Sequence, residues 1–296
     1  MKRILFIALI LIAALKVFTA CEFNRSVHKD LKTGALSGGD GIGCENISIE
    51  VNGTKDRRNT FVFGEKVNFV FDDLTGFTEK DGKKFPGLSL HIVKNEKDTV
   101  LAYANLLDHL EDGTALSPLQ LQASFTAALP HKDHEKYKVH INIWDEKGTG
   151  QFSYEMPFTV TGNDFLDIET SGATYDNIYL WDQTGHQLVT DKTINADHSF
   201  VLIVEGADGF KQTEGVVFPV FSIEITDRRG NILLSDANLF KKYEDTGLDA
   251  DTFNDKLYAT IGFYGGKVHN PCKLKAVLKD QHSEKQIAVT TELEIR

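Results

Sequence analysis

Displaced by 133 positions, residues 69–116 fall on residues 202–249 without a gap, and 13 of the 48 positions are identical. The shared text includes Gly76/Gly209, Phe77/Phe210, Gly82/Gly215, Phe85/Phe218 and Pro86/Pro219, then Ala104-Asn105-Leu106 against Ala237-Asn238-Leu239. The match extends with small shifts to Glu45–Thr54 on Asp176–Gly185 and to Tyr137–Lys147 on Cys272–His282. Solenoid and propeller repeats run about 20–50 residues, so a period this long specifies tandem globular domains. The chain builds one fold twice.

Within each copy the apolar residues alternate. Val67, Phe69 and Phe71 are interleaved with Lys66, Asn68 and Asp72, and Val139, Ile141 and Ile143 with Lys138, His140 and Asn142. Leu274, Ala276 and Leu278 repeat the pattern in the second copy. Period two places one face in a core and the other in water. About seven such runs per copy, separated by Gly, Asn and Asp clusters, predict an all-β chain. It would form two tandem immunoglobulin-like antiparallel β-sandwiches, over residues 44–160 and 161–296.

Two local features add detail. Leu239, Phe240 and Tyr243 recur at helical spacing between Asp236 and Gly247, with Leu106, Leu107 and Leu110 as counterparts. This predicts a helical crossover of two or three turns in each copy. In GFTEKDGKKFP (Gly76–Pro86) the glycines suit positive φ, Phe85 is expected to plug the core edge, and Pro86 to open a strand. Residues 22–43, with SGGDGIG and no strand-like run, read as a flexible tether.

The N-terminus combines Lys2 and Arg3 with an apolar run from Ile4 to Leu15, too short for a span of about 20 residues. It reads as a signal peptide over residues 1–20. Phe18-Thr19-Ala20-Cys21 resembles a lipobox, the processing signal of bacterial lipoproteins. That resemblance implies cleavage before Cys21 and its lipidation. Glu22 in place of Asp implies the outer membrane by the same analogy. Without residues 1–20 the chain would carry a net charge of −14. Such a surface repels nucleic-acid backbones and anionic headgroups.

Motifs for chemistry are sparse. His131, His134 and His140, with Asp133 or Glu135, are the best metal candidates, and the carboxylates of Asp245–Asp255 lack the spacing of a calcium loop. Both stretches read as solvated, and neither a metal nor a cofactor is expected. No nucleophile elbow, phosphate loop or dinucleotide fingerprint occurs, so a non-enzymatic role is expected. Cys44 and Cys272 fall in different copies at positions that are not counterparts; whether they pair is open. Trp144 and Trp181 are candidate sugar-stacking platforms. In NIYLWDQTG, Trp181 shares the polar-side set with Tyr179, opposite Ile178 and Leu180, which makes Trp181 and Tyr179 the site-like pair.

With its lipobox and tandem sandwiches, the chain resembles outer-membrane lipoproteins of Gram-negative bacteria. The resemblance implies a cell-envelope binding or accessory subunit, with another envelope protein or a glycan as partner. Two alternatives remain: a carbohydrate-binding accessory lipoprotein, or a fimbrial subunit made as a lipoprotein precursor that assembles by strand exchange. Against the fimbrial reading stand the likeness of the two copies and the lack of an obvious processing site in residues 22–45.

Overall fold

The structure, a computed structural model, describes residues 25–131, 135–263 and 268–296. Residues 1–20, read above as a signal peptide, and Cys21 lie outside the described residues. The chain divides into two compact units; the second takes in the short segments Val62–Glu65 and Thr126–Lys132 besides Thr161–Arg296. Strands of five or more residues are numbered here. In the first unit they are β1 (Arg25–Lys29), β2 (Leu36–Asp40), β3 (Asn46–Val51), β4 (Lys66–Leu74) and β5 (Pro86–Lys94). After these come β6 (Asp98–Tyr103), β7 (Leu119–Thr126), β8 (Tyr137–Asp145) and β9 (Gln151–Thr161). The second unit has β10 (Asp167–Ser171), β11 (Asn177–Asp182), β12 (Phe200–Glu205), β13 (Pro219–Thr226) and β14 (Ile232–Asp236). It continues with helix α1 (Ala250–Asp255), β15 (Lys256–Ile261), β16 (Cys272–Asp280) and β17 (Gln286–Ile295).

The strand order is the same twice. One sheet runs β2-β9-β8-β5-β6 in the first unit and β10-β17-β16-β13-β14 in the second. The other contains β3-β4-β7 and β11-β12-β15 respectively. Leaving aside β1 and the leading strands β2 and β10, seven strands split three and four. The first, second and fifth form one sheet, as in immunoglobulin-like sandwiches.

Alternation along each strand builds the cores. In the second unit Leu202, Leu257 and Ala259 from one sheet meet Phe221, Ile223 and Ala276 from the other in one buried cluster. In the first unit aromatic rings bridge the sheets: Phe69 and Phe71 lie 5.5 and 5.8 Å from Tyr154, and Phe125 lies 5.3 Å from Phe158.

Three expectations change. The segment read as a tether contains β1 and β2, and β2 pairs with β9 in register from Leu36↔Glu155 to Asp40↔Gln151. LSGGD shows no apolar alternation because it is held by backbone pairing, with burial left to the flanking Ala35 and Ile42. The crossovers are shorter than expected: one 3-10 turn at Lys241–Tyr243, and hydrogen-bonded turns at residues 106–109. The repeated asparagine interrupts the helix. Asn238 Oδ1 accepts the N–H groups of Phe240 (3.0 Å) and Phe221 (3.3 Å), and Asn105 does the same for Leu107 (2.9 Å) and Leu88 (3.3 Å). An Asx turn tied to the central strand competes with helix. Finally, Phe85 is only half-buried, under the ammonium of Lys147 at 5.0 Å, and Phe218 packs on His282 at 4.4 Å. These rings seal the β8–β9 and β16–β17 turns; they do not enter the core.

The duplicated glycine motif is a docking point. Gly76 and Gly209 have φ of +87° and +91°. A Cβ at Gly76 would fall 1.9 Å from the carbonyl oxygen of Gly41, and one at Gly209 would fall 2.9 Å from that of Gly172. The loop following is caught by a buried aspartate at the end of the sixth sandwich strand. Asp145 Oδ2 accepts Thr78 N–H at 2.7 Å, and Asp280 Oδ2 accepts Lys211 N–H at 2.9 Å. As expected, Pro86 and Pro219 open β5 and β13, where a missing N–H is harmless.

Candidate functional site

The outward face of β11-β12-β15 carries the aromatic residues. Tyr179 and Trp181 project from β11, opposite the buried Ile178 and Leu180. Register places Tyr179, Ile203 and Tyr258 in one cross-strand row and Trp181, Val201 and Thr260 in the next. Val201 and Ile203 lie outside the inter-sheet core, yet are only 4% and 8% exposed. Tyr258 beside them is 54% exposed. Tyr179, Trp181, Gln183, Val201, Ile203 and Tyr258 line a shallow open groove of about 380 Å³. Phe63, which belongs to this unit, lies 5.7 Å from the Tyr179 ring at one end.

A polar cluster fixes the other side of Tyr179. Its hydroxyl donates to Glu205 Oε1 (2.8 Å), Asn177 Nδ2 donates to Glu205 Oε2 (3.3 Å), and Lys256 Nζ sits 2.9 Å from the same carboxylate. Burial pushes the Tyr179 phenol well above its ordinary pKa, and the Glu205 acceptor adds to this. Burial alone would raise Glu205, but the bonds from Lys256, Tyr179 and Asn177 outweigh it and hold the carboxyl low. The phenol therefore stays protonated and donates to Glu205.

The first unit supplies an internal comparison. At the positions of Tyr179, Trp181 and Val201 it has Ser48, Glu50 and Asn68. Asn68 Nδ2 donates to Glu50 (3.1 Å) and to Gln122 (3.3 Å), and Gln120 bonds to Asp72. The same sheet face is a polar amide–carboxylate ladder in one copy and an aromatic surface in the other.

Other sequence candidates do not converge. Trp144 lies on the outer face of the larger sheet in the first unit, over Gly87, and its indole N–H donates to Glu146 Oε1 at 2.7 Å. It borders a groove of about 560 Å³ with Ser26, Asp40, Ser89 and Asn142. His140 stacks on His91, ring centroids 4.6 Å apart, and its Nδ1 is 3.5 Å from Glu155. His131 packs on Phe63 at 5.4 Å, while His134 and Asp133 lie outside the described residues. Among the described residues no three His, Cys, Asp or Glu side chains are grouped to hold a metal. The carboxylate-rich stretch folds in part as α1, with Asp249 accepting Thr252 N–H at 2.9 Å as its N-cap.

Cys44 and Cys272 are free thiols. Burial, reinforced by Asp72, pushes Cys44 up to about 11, and Cys272 is fully buried in the core of the second unit. Thiolate is the reactive form. Alkylation at pH 8 is therefore expected to be at least tenfold slower for both in the folded protein than in urea, read by mass spectrometry.

Tyr258 is the site residue that sequence reasoning missed. Its signal was present: Leu257, Ala259 and Ile261 alternate inward, which places Tyr258 and Thr260 outward.

No family model matches the chain, and no curated protein matches it. Among solved structures, the C-terminal domain of wzt matches at a TM-score of 0.35 and 10% identity, covering 45% of this chain and 82% of that one. The protein pT26-6p matches at 0.25 and 10%, covering 92% of this chain and 65% of that one. A Salmonella alpha-2-macroglobulin mutant matches at 0.24 and 11%, covering 90% of this chain but 19% of the other. These are likenesses of fold alone.

Proposed function

We propose that the protein is a non-enzymatic lipoprotein of the bacterial cell envelope, anchored through Cys21. It acts as a binding or accessory subunit, and the aromatic face of β11-β12-β15 is its contact surface. The observation that carries this reading is the difference between the copies. This sheet face needs no aromatic rings to form, because the same face of the first unit carries Ser48, Glu50 and Asn68, with Asn68 donating to Glu50. Exposed apolar surface rimmed by polar groups marks recognition sites.

The test is affinity purification of the full-length protein from cross-linked native membranes, beside a Trp181→Ala/Tyr258→Ala variant. A component that co-purifies with the wild type is expected to fall at least tenfold with the variant. Equal recovery would reject the surface. The lipid anchor is tested separately: Cys21→Ser is expected to shift the protein from the membrane to the soluble fraction, and retention in the membrane would reject it.

A further inference from the structure

Resting on that reading, we infer that the ligand of the aromatic face is a neutral oligosaccharide, laid across Tyr179, Trp181 and Tyr258. The inference starts from dimensions. Tyr179 and Tyr258 flank Ile203 on opposite strands of one row. With neighbouring strands about 4.8 Å apart, their backbones stand about 10 Å from each other. Trp181 is two residues along β11, about 7 Å from Tyr179. Three rings at this spacing over a flat Val201–Ile203 floor exceed the span of one pyranose. They match a short chain of sugars presenting C–H faces to π surfaces.

The polarity agrees. Aromatic faces carry partial negative charge and attract the polarised C–H groups of a sugar face. Around them Gln183 and Thr260 offer amide and hydroxyl groups suited to sugar hydroxyls, while the Asn177 amide is engaged by Glu205. An anionic ligand would meet no free complementary charge, because the Lys256 ammonium at the edge is already held by Glu205 at 2.9 Å. The strongly acidic chain as a whole disfavours an anionic glycan.

Size argues against a protein as occupant. A stable protein interface takes about 800 Å² and 20–30 residues from each partner. Here six side chains line a shallow groove. A glycan can be held by so small a surface because stacking and a few hydrogen bonds suffice.

The experiment uses detergent-solubilised full-length protein and an envelope extract fixed on beads. The extract is left untreated, oxidised with periodate to cleave vicinal diols, or digested with protease. Wild-type retention is expected to fall at least tenfold after periodate and to survive protease. Trp181→Ala and Tyr258→Ala should each weaken retention on untreated extract at least tenfold, while Trp144→Ala binds as wild type. Tyr258 is half exposed and outside the core, so its truncation leaves the fold intact even if that of Trp181 does not. Retention that resists periodate but is lost after protease, and still depends on Trp181 and Tyr258, would overturn the glycan and leave the contact surface standing. Retention indifferent to both variants would overturn the inference and the surface together, and no retention of the wild type would overturn the glycan.

Discussion

Asp280→Ala is expected to lower the stability of the second unit by about 3 kcal/mol, read as a shift of its urea midpoint at pH 7. Asp280 is fully buried, and its carboxylate accepts Lys211 N–H (2.9 Å), His282 N–H (3.1 Å) and the Ser283 hydroxyl. Hydrogen bonds to a charged acceptor contribute about 1.5–3 kcal/mol each, and truncation leaves two backbone donors unpaired. Asp145 holds the same place in the first unit, accepting Thr78 N–H and Lys147 N–H, so Asp145→Ala should behave alike. The effect depends on pH. Burial opposes ionisation of both carboxyls, yet the bonds they accept dominate and depress both pKa values. Their stabilisation is therefore full above the unfolded carboxylate value of about 3.9 and is lost as pH falls through the lower folded value. The gap between wild type and variant should narrow below about pH 4. A gap that stays constant down to pH 2 would contradict this account.

Gly76→Ala is expected to destabilise the first unit by about 3 kcal/mol or more, whereas Gly82→Ala in the same loop costs about 1 kcal/mol. Both glycines have positive φ, +87° and +70°, so both substitutions impose backbone strain. Only at Gly76 does the new Cβ also collide with backbone, 1.9 Å from the Gly41 carbonyl oxygen; at Gly82 nothing lies within 4 Å. The excess at Gly76 measures how firmly the segment after β2 is seated. Thr75 N–H donates to Gly43 O at 2.9 Å, so prising these segments apart breaks backbone pairing as well. Thermal denaturation of the two variants side by side decides it. Equal losses would mean the leading strand contributes little.

Much of this was legible in the sequence. The 133-residue displacement and the alternation around Phe69, Val139 and Leu274 predicted two copies of one antiparallel sandwich, because burial on one sheet face imposes period two. Trp181 and Tyr179 were placed outward by the same reasoning. What stayed hidden was held by the backbone. LSGGD in β2 is a strand through backbone pairing with β1 and β9, and Asn105 and Asn238 shorten the crossovers through bonds to strands far along the chain. The aromatic triad was incomplete because Tyr258 lies 77 positions beyond Trp181, and only register joins them.

The two copies also separate what the fold demands from what it leaves open. The residues that both must keep, Gly76/Gly209, Asn105/Asn238 and Asp145/Asp280, pin loops and strand ends around the larger sheet. None projects from the outer face of the smaller one. That face is therefore a blank panel in the architecture, free to be rewritten without renegotiating the scaffold. One copy has used that freedom to set three aromatic rings there, and the other to set carboxylate and amide side chains.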